Sequence, residues 1–116
     1  MKAQVNFDSL GGGGYPNFYF EPIKPQSSGT FNIGFKAKKI YTFSCYSAYS
    51  EQCRSCVYDE DVSTTNVVPY VNGNAQTPIS IGQANNVGNI MAPPTDTSIT
   101  LEIGGVQNGI GFIALG

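Results

Sequence analysis

Apolar residues in this chain recur at every second position, in short runs, and almost never at helical spacing. The stretch FNIGFKAKKIYTFSC, residues 31–45, carries the pattern most clearly. Phe31, Ile33 and Phe35 alternate with polar or glycine positions. Tyr41, Phe43 and Cys45 then share one strand face, with Ile40, Thr42 and Ser44 on the other. A period of two is the signature of a strand, because successive side chains leave the backbone on opposite faces. Lys36-Ala37-Lys38 is short and polar, and reads as the link of a hairpin whose two arms supply core.

The rest of the chain follows the same rule. Strands are expected over Lys2–Phe7, Asn17–Ile23, Gly29–Phe35, Lys39–Tyr46, Cys56–Tyr58, Val67–Val71, Pro78–Ile81, Thr97–Ile103 and Ile110–Leu115. Pro69 lacks an N–H and favours an edge position for its strand. Asn72-Gly73-Asn74 and Asn108-Gly109 are turn signals, residues 82–89 read as loop, and Ala92-Pro93-Pro94 reads as a rigid extended spacer. Four consecutive glycines at 11–14 specify no conformation and are costly to order. Residues 1–14 are therefore expected to be an N-terminal arm with a glycine-rich joint, and residues 15–116 one β-sandwich domain. About eight or nine short strands, with turn signals every ~8–12 residues, predict an all-β antiparallel β-sandwich of jelly-roll or Ig-like type, about eight of them in the domain beyond the N-terminal arm.

Composition narrows function more than it names it. Charged residues are 12% of the chain, against about 25% in an average soluble protein. Net charge is −2, so no global field draws the chain to nucleic acid. All six basic residues lie at or before Arg54, and 13 of the 14 aromatics lie at or before Tyr70. The halves differ in kind, which fits one sheet or face from each. No apolar run reaches the ~20 residues of a membrane span, and residues 1–25 hold no secretory h-region. Neither a membrane nor a nucleic acid is expected as a partner.

Residues able to do chemistry are sparse. Cys45, Cys53 and Cys56 have the spacing C-x7-C-x2-C, with no histidine in the chain. Three reduced thiols are the leading expectation. A Cys45–Cys53 disulfide, or a metal held by C-x2-C with Asp59 or Asp61, are the alternatives. A catalytic cysteine would need a base that the chain does not offer in histidine. Asp59-Glu60-Asp61 lacks the calcium-loop spacing and reads as a solvated turn. The glycine run lacks the Lys-Ser/Thr of a phosphate loop. No enzyme activity and no cofactor are expected. The candidate interaction surface is aromatic and basic: Tyr15, Tyr46, Tyr49 and Tyr58, with Lys36 and Lys38.

The segment SGTFNIGFKAKKIYTF, residues 28–43, resembles a pattern of short tailed-phage and prophage virion proteins, in which one strand ends at Gly-Phe and the next begins after Lys-Pro-Lys. Gly34, Phe35, Lys36, Lys38, Lys39 and Ile40 match it, and Ala37 stands where that pattern has proline. VYDEDVSTT (57–65), the closing GFIALG (111–116) and the opening VNFDSLGGGG are similar to those proteins too. The resemblance implies a β-sandwich structural module of a bacteriophage virion, at a tail-fibre or spike tip or as a capsid decoration or head-fibre protein. It implies a homotrimer or other homo-oligomer, other capsid or tail proteins as partners, and attachment to a host-surface glycan as one role. It transfers no catalytic residue. A stand-alone bacterial carbohydrate-binding or adhesin module is the alternative.

Overall fold

The computed structural model describes residues 2–3, 15–22, 29–46, 53–82, 89–102 and 107–116. Among them there is no helix. Eleven strands run in chain order: β1 Lys2–Ala3, β2 Phe18–Pro22, β3 Gly29–Asn32, β4 Lys39–Tyr46, β5 Cys53–Asp59, β6 Asn66–Val71, β7 Asn74–Ala75, β8 Ile79–Ser80, β9 Asn89–Ile90, β10 Ser98–Glu102 and β11 Gln107–Leu115. All pairings are antiparallel. The larger sheet has the order β1-β2-β11-β4-β5-β6-β7, with β8 also on β6, and the smaller has the order β3-β10-β9. The chain is all-β and sandwich-like, as its alternation predicts.

The core lies between the two sheets. The larger sheet contributes Tyr19, Ile40, Cys56, Tyr58, Val67, Phe112 and Ala114, and the smaller contributes Ile90, Ile99 and Leu101, all buried. Phe31 of β3 meets Phe112 edge-on, with ring centroids 5.1 Å apart, and Tyr19 stacks on Phe112 at 5.6 Å. Phe112 is thus a contact at which the two sheets meet. Thr42 is the buried polar side chain among them, and its hydroxyl accepts the Cys56 N–H at 3.0 Å. A hydroxyl on the inner face is tolerable because it has that partner.

Residues 31–45 differ from the expected hairpin. β3 belongs to the smaller sheet and β4 to the larger, so residues 33–38 cross between sheets. The alternation is a correct guide to burial at Ile33 and Phe35, whereas Ala37, expected in a polar link, is buried as well. The crossover is secured by backbone bonds, with Ile33 and Gly34 donating to Thr97 O (2.8 and 3.0 Å) and Lys38 N donating to Leu115 O (2.7 Å). Gly34 takes φ 83°, which bends the chain out of β3.

Asn72 (φ 51°) and Gly73 (φ 82°) form the two-residue turn joining β6 to β7, as their sequence predicts. Asn108-Gly109 does not turn. It lies inside β11, where the pairing with β4 shifts register between Gly109 and Gly111. The expected turn is a β-bulge. β5 is longer than expected and begins at Cys53. Pro69 sits in the next-to-last strand. β8 pairs the start of β6 and β7 its end, so the missing N–H falls between two short partners. The expected strand over Lys2–Phe7 is described only at Lys2–Ala3, which pairs with β2, and the glycine run lies outside the described residues.

Candidate functional site

The outward face of the larger sheet is built by strand parity. Tyr19, Phe112, Ala114, Ile40, Thr42, Cys56 and Tyr58 point into the core, so their neighbours in sequence point out. The register aligns those neighbours in rows. Phe20, Ile113, Tyr41, Val57 and Val68 are consecutive partners across five strands. A second row reads Pro22, Gly111, Phe43, Ser55 and Tyr70. A third reads Phe18, Leu115, Lys39 and Asp59. Most of these side chains are half-buried, as neighbours on one sheet face shield each other, and Phe20 is 36% exposed. The face is therefore mainly apolar, and its four-residue row ends in charge.

That charge is internally paired. Lys39 Nζ lies 3.5 Å from Asp59 Oδ2 and 5.1 Å from the centroid of the Tyr15 ring. Hydrogen bonding to Tyr15, and then the nearby Asp59 carboxylate, hold the Lys39 pKa above its ordinary value. Where β5 and β6 part, Val57, Asp59, Val62, Asn66, Val68 and Tyr70 line a depression of about 110 Å³. Val62, at its rim, is 76% exposed.

Of the sequence-selected surface residues, Tyr15, Lys36, Lys38 and Tyr58 are described with their side chains. Tyr15 is half-buried against Lys39, while Lys36 and Lys38 are exposed and flank the buried Ala37. Tyr58 is 3% exposed and is a core residue, which corrects its assignment to an interaction surface. In β5 the inward positions are Cys56 and Tyr58, so the outward ones are Val57 and Asp59. Tyr49 lies outside the described residues, and Tyr46 is placed only by its register opposite Gln107. The outward rows were missed, although a signal existed. Phe18-Tyr19-Phe20 and Val67-Val68 are apolar on both strand faces, which is the mark of a sheet covered on both sides.

The cysteines are separated by the same parity. Cys53 is exposed and Cys56 buried, and both are free thiols. Positions three apart in a strand lie on opposite faces, ~10 Å apart, so C-x2-C does not converge on one metal here. Burial pushes the Cys56 thiol up from 9.0 to about 11. Among the described residues, no three metal-ligating side chains gather. The acidic turn closes on itself: Asp59 Oδ1 accepts the Asp61 N–H at 3.0 Å, and Asp59 O accepts the N–H groups of Val62 and Ser63. No helix among the described residues is long and apolar enough to cross a membrane.

No protein-family model matches the chain, nor does any curated protein or solved structure.

Proposed function

We propose that this chain is a structural module of a bacteriophage virion, of tail-fibre, spike or capsid-decoration type, which works by assembling with copies of itself and with other particle proteins. The observation that carries the assembly part is the outward face of the larger sheet. Rows of Phe, Tyr, Ile and Val across five strands give a contiguous apolar surface of the kind that marks an interaction site. The Lys39–Asp59 ion pair at its end is satisfied within the chain, so covering the face strands neither of these two charges. Repeated copies on a particle make weak contacts of this sort strong, through effective concentration. The virion setting rests on the resemblance carried by residues 28–43 and the closing strand.

Light scattering on a sizing column tests the assembly part. The full-length protein is expected as a trimer or other closed oligomer, and Tyr41→Glu or Phe20→Glu in the apolar row is expected to return it to a monomer. A wild type that is monomeric up to high micromolar concentration, and that instead binds host-surface glycans, would replace this reading with a free carbohydrate-binding module.

A further inference from the structure

The register of β4 with β5 sets Cys45 directly opposite Cys53. Two hydrogen bonds of the Cys53 main chain decide what kind of pair this is. Cys53 N–H donates to Asn72 Oδ1 at 2.9 Å, and Cys53 O accepts the Asn72 N–H at 2.8 Å. Both backbone groups of one strand residue point to the same side, so those of Cys53 are turned away from β4. Cys45 and Cys53 are therefore a non-hydrogen-bonded antiparallel pair. Such pairs place their Cα atoms about 4.5 Å apart. A disulfide accepts Cα separations of roughly 4.4–6.8 Å. The backbone already has a geometry that can be bridged.

Chemical access discriminates in the same direction. Cys53 is exposed, whereas Cys56 is 0% exposed and on the opposite face. Burial also keeps the Cys56 thiol protonated near neutral pH, and a protonated thiol is a poor nucleophile. Of the three cysteines, the two that the register juxtaposes are not the two that share the short sequence spacing.

We propose that Cys45 and Cys53 form a redox site, which closes to a cross-strand disulfide on exchange with a small-molecule disulfide such as oxidised glutathione. In the first step the Cys53 thiolate, its proton lost to solvent, attacks one glutathione sulfur. The glutathione S–S bond breaks, a Cys53–glutathione bond forms, and one glutathione thiolate leaves. The Cys45 thiolate, its proton likewise lost to solvent, then attacks the Cys53 sulfur, the mixed disulfide breaks, a second glutathione thiolate leaves, and both glutathione thiolates take up protons from solvent. Two protein thiols are oxidised and one glutathione disulfide is reduced to two thiols. The bridge ties the far end of the β4–β5 pair, where residues 45–53 form the closed loop. This redox site does not depend on the assembly reading, since it needs only the β4–β5 register and the Asn72 bonds.

The test uses full-length protein equilibrated in glutathione buffers from reducing to oxidising, then alkylated and mapped by mass. The expected result is that two thiols disappear together, with the loss of two hydrogens and a linked Cys45–Cys53 peptide. Cys56 is alkylated only after unfolding. Cys45→Ser is expected to leave Cys53 capped by glutathione, and the bridged wild type should melt roughly 5–10 °C above the reduced protein. Survival of all three thiols at the oxidising end would overturn the proposal. So would Cys53 found only as a glutathione adduct in the wild type, a Cys53–Cys56 peptide, or a dimer joined through Cys53.

Discussion

Truncating Phe112 should cost more than any other single substitution in the larger sheet. Its ring is 0% exposed and touches Tyr19 within its own sheet and Phe31 from the other. A buried aromatic ring removes ~150–200 Å² from water, worth about 4–5 kcal/mol at ~25 cal/mol per Å². Phe112→Ala keeps only Cβ and opens a cavity between the sheets, so a loss of about 4–5 kcal/mol is expected, within the usual range for such changes. A domain has roughly 5–15 kcal/mol in total, so this variant sits near the limit of folding. Phe112→Leu keeps most of the volume, forfeits both ring contacts, and should cost about 1–2 kcal/mol. The chain has no tryptophan, so far-ultraviolet circular dichroism in urea is the suitable assay. For an m-value near ~1.5–2 kcal/mol per M, the Leu variant should lower the midpoint by about 1 M. Ile113→Ala, next in sequence but on the outward face, should cost no more than about 1 kcal/mol in the monomer. Loss of less than about 1.5 kcal/mol in Phe112→Ala would refute the placement of this ring at the meeting point of the sheets.

Three further outcomes follow from specific contacts. Gly111→Ala should destabilise by about 1–3 kcal/mol and weaken β2–β11 hydrogen-exchange protection, because a Cβ there would stand 2.8 Å from Glu21 O, a backbone atom with little room to move. Thr42→Val should cost about 1–2 kcal/mol in urea, because the hydroxyl that meets the buried Cys56 N–H is lost. Stability should also fall as pH rises from about 9 to about 11. The native Cys56 thiol holds its proton until about 11 whereas the unfolded one ionises near 9.0, so the unfolded state releases its proton first. The contribution is fully present below about pH 9 and is lost by about pH 11, of order 2–3 kcal/mol. Burial raises Tyr58 in the same sense, and likewise Tyr19, so a smaller decline should persist above pH 10 in Cys56→Ala.

Local signals were readable where the answer was local. Lys39–Tyr46 alternates without interruption, and β4 has those bounds. Asn72-Gly73 needs two positive φ angles, and the turn provides them. The errors arose where pairing between distant segments decides. Lys36-Ala37-Lys38 has the length and polarity of a hairpin link, but β4 finds β11 and β5 as neighbours, and β3 finds β10. No residue within 31–45 encodes that choice. Asn108-Gly109 carries a turn signal that eight paired positions between β11 and β4 override. Tyr58 was misread because tyrosine suits either a surface or a core, and only the parity of β5 separates the two. The outward apolar rows could have been anticipated from Phe18-Tyr19-Phe20 and Val67-Val68. Their alignment into one surface required the register.

The position of β11 has a consequence for how the protein is made. It is the last of the described strands in chain order, yet it lies between β2 and β4 in the larger sheet. During translation, β4, β5 and β6 can pair in sequence as they emerge, and β2 with β1, but no other described strand joins the two groups before Gln107–Leu115 has been synthesised. Until then the core faces of Tyr19 and Ile40 lack the strand that brings them together. Phe112, the side chain on which Phe31 and Tyr19 converge, is delivered in the same late segment. Nascent chains halted before residue 107 should therefore be open to proteases and dependent on chaperones, and protection should arrive in one step rather than gradually.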